Sequence, residues 1–174
     1  MSGPAVTRGR AAPYRGRTSA GGAAAAAASA GLFAAAGMHA AWGAGSAWPV
    51  PDRAALADAV TGAAEVPGPG ACFAVSGALA AAGALTAGWP ARYPGLHRAG
   101  VVAVAAVLAG RGFLGLAGQT RLVSPGATSA TFTRLDRRVY SPLCLALAGL
   151  SALSTGPPAR AGWGQARVGR HLPR

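Results

Sequence analysis

The sequence predicts an all-α fold, an antiparallel four-helix bundle set in a membrane, and three observations predict it. Apolar stretches recur at roughly 20–42, 71–89, 99–118 and 139–156, each close to the ~20 helical residues that cross a ~30 Å hydrocarbon core. The four acidic residues, Asp52, Asp58, Glu65 and Asp136, fall in only two of the gaps between those stretches. Charge is scarce: of 174 residues 52% are hydrophobic and 11% charged, less than half the ~25% usual in a soluble domain.

Residues 1–18 are basic and carry Gly and Pro, which predicts a disordered cytoplasmic tail; 157–174 have the same character. The transmembrane domain between them spans 19–156. Its first span is mostly Ala, with Leu32, Phe33 and Met38 as the bulky members, and Trp42 and Trp48 mark its outer boundary. A cleaved signal peptide is the alternative there, because Ala34 and Ala36 follow an Ala-rich core and a basic start. The apolar run continues past Ala36 to Ala41, which favours an uncleaved helix.

Between 43 and 70, prolines bound a short helix expected over 52–60. The second span ends at Trp89-Pro90, and the brief gap to Arg98 folds spans two and three into an antiparallel hairpin. Small residues recur as Ser76, Ala80, Ala84 and Gly88 in span two and as Gly112, Gly115 and Gly118 in span three, where they permit close helix approach or reflect coding bias alone. Pro142 complicates the fourth span. Either the helix begins at Ser141 and is short, or it starts near Phe132 and bends at the proline, or this segment is re-entrant.

The positive-inside rule orients the chain. Arg8, Arg10, Arg15, Arg17, Arg92, Arg98, Arg160, Arg167, Arg170 and Arg174 lie on one side, and Arg53, Arg121, Arg134, Arg137 and Arg138 on the other. Both termini are therefore expected in the cytoplasm, with the four arginines of the third loop running against the bias. All sixteen basic residues are Arg, which with the Ala and Gly excess suggests a high-GC bacterial genome and a plasma-membrane location. The net charge of +12 flanks apolar segments instead of interleaving with aromatics, so nucleic acid is not an expected partner.

Given that orientation, His39 lies in the outer turns of span one and Arg111 deep in span three, where an unpaired charge is costly. Arg111 either snorkels or faces protein. Asp136 and Tyr140, four apart, would share a helix face, and Asp136 is the nearest counter-charge for Arg111. The expected candidate polar cluster is His39, Arg111, Asp136 and Tyr140, rimmed by Trp42, Trp48 and Ser141. Cys72 and Cys144 fall near outer ends, and whether they pair is open. His39, His97 and His171 are expected at different depths or sides, so no metal or cofactor site is expected, and no phosphate loop, nucleophile elbow or carboxylate pair occurs.

Three stretches together carry a resemblance: residues 39–49 (HAAWGAGSAWP), 111–115 (RGFLG) and 132–145 (FTRLDRRVYSPLCL). In this order and spacing the chain resembles a family of small bacterial four-span membrane proteins known only as domain of unknown function family 3995. The resemblance implies that His39, Trp42, Arg111, Asp136, Tyr140 and Pro142 occupy family motif positions; it implies no activity. Three function classes follow from the residues. The first is a non-enzymatic accessory or interaction protein packing on itself or another membrane protein in the lipid bilayer. The second is a small carrier or channel binding an anion through Arg111. The third is a membrane-embedded enzyme using His39 and Asp136.

Overall fold

A computed structural model of the protein describes residues 20–90, 94–123 and 126–155. The tails expected at 1–18 and 157–174, together with Arg92 and His171, lie outside the described residues. The described regular structure is helical: α1 (Ala20–Gly43), α2 (Arg53–Val60), α3 (Pro69–Thr86), α4 (Pro94–Leu116), α5 (Thr120–Val123), α6 (Ala130–Leu135), a π segment (Asp136–Tyr140) and α7 (Ser141–Ser154). Three of these, α1, α3 and α4, are long and apolar enough to cross a membrane.

The expected fourth stretch differs from the other three. With its 14 residues α7 reaches ~21 Å alone, short of the hydrocarbon thickness. It is nevertheless the end of one unbroken helical run over 130–154, which passes through α6 and the π segment. The helix thus starts just before Phe132, capped by the Ser129 side chain, which accepts from the Phe132 N–H. The π turn lies immediately before Pro142. Proline has no N–H to give and its ring crowds the carbonyl four residues back, so widening the preceding turn to i→i+5 bonding accommodates it.

Two other boundaries shift for identifiable reasons. The helix expected over 71–89 runs from Pro69, a residue favoured in the first turn, and closes on Gly88, whose φ of +99° suits glycine. There Trp89 N–H bonds back to Ala84 O. The helix expected over 99–118 begins at Pro94, inside the presumed gap, and His97 Nε2 meets Leu85 O at 2.8 Å to close the corner between α3 and α4.

α1 packs on α3 and α7, and α4 packs on α7 and α3. The α1/α3 seam is antiparallel: Ser29 Oγ donates to Gly83 O and Ser76 Oγ to Ala36 O, both at 2.8 Å. The buried face of α3 follows Cys72, Gly83 and Thr86 with Ser76 half-buried, and so departs from the strict four-residue stripe that ends at Gly88. A spacing of four overshoots the 3.6-residue turn, so a straight seam must step back by three at intervals. The core of the four long stretches is small-residue rich, with Ala24, Ala28, Ser29, Ala36, Ala148 and Ser151 around Leu32, Val101 and Leu147. Large apolar side chains including Phe33, Phe73, Val102, Val107, Phe113 and Leu153 lie on the outside.

At one end α2 folds over the bundle. Asp52 caps it by accepting from Ala55 N–H at 2.8 Å, and Leu56 and Ala57 are fully buried. The turn after α2 rests on Phe132: a Cβ at Gly62 would lie 2.9 Å from that side chain, and Thr128 N–H bonds to Gly62 O.

Candidate functional site

The polar centre of the molecule joins α4 to the π segment. Arg111 stands about one and a half turns before the end of α4, and its Nη2 donates to Asp136 Oδ1 at 2.6 Å. Asp136 is fully buried and Arg111 is 25% exposed, so the pair is sheltered from water on the carboxylate side and open on the other. A charge-assisted bond this short is a strong one, and each partner removes the cost that the other would bear in an apolar setting.

Ser141 completes the centre. It is fully buried, and its Oγ donates to the same Asp136 Oδ1 at 3.3 Å. In an α-helix two residues five apart point about 140° away from each other at 100° per residue. The π turn removes most of that angle, because Ser141 N–H bonds to Asp136 O five residues back. The irregular turn that accommodates Pro142 is therefore also what swings Ser141 onto the carboxylate.

Gly115 makes the approach possible. A Cβ there would lie 2.6 Å from Asp136 Oδ2 and 2.8 Å from Arg111 Nη1, and would overlap Ser141 Oγ. Gly112, one turn earlier, similarly faces Ser141 O and Leu145. At the end of α4, Gly118 adopts φ +75° and lies beneath the Arg137 guanidinium. Gly112 and Gly115 of α4, with Gly118 just past its end, therefore line one seam. Within it Arg111 Nη1 and Asp136 Oδ2 are buried and make no hydrogen bond, leaving one donor and one acceptor unused.

The other residues of the expected cluster go elsewhere. The Tyr140 hydroxyl donates to Ala59 O at 3.0 Å, fastening α2 to the π segment; its ring stands 6.4 Å from that of Phe132. The expectation that Asp136 and Tyr140 share a face presumed α-helical spacing, and the π turn substitutes Ser141 for Tyr140. His39 meets its own helix, with Nδ1 2.8 Å from Ala35 O, and its ring lies 4.9 Å from that of Trp42. Trp42 Nε1 donates to Trp48 O at 2.8 Å, and Arg53 Nη1 donates to Trp42 O at 3.1 Å.

The structure thus gathers Arg111, Asp136 and Ser141 in one place, and His39, Trp42, Trp48 and Arg53 in contacts around the end of α1. The sequence reading counted Arg53 only as an outer-side charge and missed this contact, although a cation following a helix end is a recognised partner for its last carbonyls. Cys72 and Cys144 are both free thiols, and Cys72 Sγ lies 3.4 Å from Pro67 O. Among the described residues no group of His, Cys, Asp and Glu is arranged to hold a metal ion.

No curated protein and no solved structure matches the chain. A family profile matches residues 32–151, a stretch that includes Arg111, Gly115, Asp136 and Ser141 and leaves both basic tails outside. On the strength of that match over most of its length, the chain belongs to the family described as protein of unknown function (DUF3995).

Proposed function

We propose that the protein is a multi-pass protein of the bacterial plasma membrane that crosses the bilayer four times with both termini in the cytoplasm. In this reading it is a non-enzymatic interaction protein, packing through its helix faces against a second copy or another membrane protein. One observation carries the reading: α1, α3, α4 and α7 each present an outward-facing glycine inside the helix. Gly37 of α1, Gly77 of α3, Gly110 of α4 and Gly149 of α7 have nothing within 4 Å of where a Cβ would stand. In lipid, helix association depends on close backbone contact over small side chains, and such positions leave room for another helix. The fourth crossing is supported by the length of the run over 130–154, and by Arg111–Asp136, which admits two charges to an apolar interior as one neutral unit.

The test is site-specific photocrosslinking in native membranes from Phe73 and Val107, exposed side chains about one turn before Gly77 and Gly110. Discrete protein adducts that disappear in Gly77→Leu and Gly110→Leu are the expected result. Adducts to lipid alone would remove the interaction reading.

A second reading, an anion carrier, draws on Arg111 Nη1, a buried guanidinium nitrogen without a hydrogen bond on a side chain that is partly open. It requires anion flux into proteoliposomes that Arg111→Gln abolishes. The enzyme reading has less to stand on, since the described polar contact of His39 is with Ala35 O of its own helix.

A further inference from the structure

The end of the molecule built from α6 and the π segment concentrates charge of one sign. Arg134, Arg137 and Arg138 are exposed and line an open cleft of about 500 Å³ together with Thr128, Ser129 and Thr133. Among the described residues none of these arginines has a carboxylate partner, because Asp136, the acid in their midst, is buried and paired with Arg111. The hydroxyls add donors. Ser129 Oγ accepts from Phe132 N–H and keeps its own proton to give, whereas Thr133 has already donated to Ser129 O. Guanidinium forks and hydroxyl donors facing one space suit an anion with several oxygens, phosphate above all.

A second feature selects the source of that phosphate. The helix leaving the cleft exposes Val139 and Leu143, 47% and 50% accessible, so a cationic cleft adjoins an apolar flank. Inorganic phosphate has no part to lay on that flank, whereas a phospholipid has both a charged head and hydrocarbon chains.

We propose that the cleft of Thr128, Ser129, Thr133, Arg134, Arg137 and Arg138 binds the phosphate head group of an anionic phospholipid whose acyl chains follow Val139 and Leu143. The inference rests on the membrane-embedded reading above. It also gives three of the four arginines of the third loop a reason to stand against the charge bias: a lipid ligand retains them there.

The experiment uses the full chain in nanodiscs of phosphatidylcholine alone or of equal parts phosphatidylcholine and phosphatidylglycerol, with retained lipid counted by native mass spectrometry after detergent release. Wild type should retain phosphatidylglycerol preferentially. The triple variant Arg134→Gln, Arg137→Gln, Arg138→Gln should lose at least about tenfold of that preference, and each single variant roughly fivefold where the triple variant fails to fold. Arg121→Gln, outside the cleft, should keep it. Equal retention of the two lipids by wild type, or an unchanged preference in the variants, overturns the proposal. So does full displacement of phosphatidylglycerol by inorganic phosphate, which would identify a site for soluble anions. Failure of the underlying reading looks different: the chain would then leave the membrane fraction in carbonate whichever lipid is supplied.

Discussion

Where α1 meets α3, close approach is made by Ala, Gly and two serines that donate to carbonyls across the seam; where α4 meets the π segment and α7, it is made by Gly112 and Gly115 around a buried ion pair. The first seam is neutral, and its two hydrogen bonds are independent of one another, 7 residues apart on each helix by their positions 29 and 36, 83 and 76. The second is a unit, because Arg111, Asp136 and Ser141 share oxygen Oδ1 and all three crowd the same glycine. Loss of one bond in the neutral seam leaves its neighbour intact. Loss of one partner in the charged seam strands the other, so the two seams should respond very unequally to single substitutions.

The largest effect is expected from Asp136→Asn, which leaves Arg111 without its counter-charge. Removing one member of a buried pair costs about 3–5 kcal/mol, to be read from thermal or denaturant unfolding in detergent. Replacing both partners, Arg111→Met with Asp136→Leu, should recover most of that loss; a double variant as unstable as the single one would break the description of the pair as a self-contained unit. Next in size is Gly115→Ala. Its methyl group must displace Ser141 Oγ or push the helices apart, an overpacking cost of about 1–3 kcal/mol, and Ser141→Gly in the same chain should reduce it.

Smaller effects come from single neutral bonds. Tyr140→Phe removes the bond to Ala59 O, costing about 0.5–1.5 kcal/mol, and amide exchange should rise in α2 before it rises in α7. Ser29→Ala and Ser76→Ala each give up one bond to a carbonyl in the α1/α3 seam, with an expected loss near 0.6 kcal/mol. A loss at either serine as large as that of Asp136→Asn would erase the contrast between the seams.

The neutral half was readable from the sequence because its cause is local. Twenty or so apolar residues bounded by Trp, Gly or Pro specify a helix wherever the chain goes, and α1, α3 and α4 follow that pattern. The short helix expected over 52–60 was legible between its flanking prolines, and it forms at 53–60 with Asp52 as its cap. Asp136 was legible as the nearest counter-charge for Arg111, since few acids are available, but the sequence left snorkelling open beside pairing. The partners that depend on turn geometry did not follow. Ser141 reaches the carboxylate only through i→i+5 bonding, and a reading at 3.6 residues per turn assigns that place to Tyr140. Gly115 carried a visible signal, a glycine four residues after an arginine set deep in an apolar stretch, but its meaning required knowing which segment lies opposite.

The π segment has one more consequence. It works as a phase shifter: one surplus residue is absorbed in the helical run without shortening it, and everything downstream is rotated by about 100° relative to an uninterrupted helix. The orientation of Leu147, Ala148 and Ser151 toward their neighbours is thus set upstream, at 136–140. A single-residue deletion there would leave a regular helix with its inward side still inward, whereas closing the π turn at unchanged length would rotate that side by about 100° away from α1 and α4. The width of the turn between Leu135 and Ser141, at this chain length, accordingly decides which side of α7 meets its neighbours.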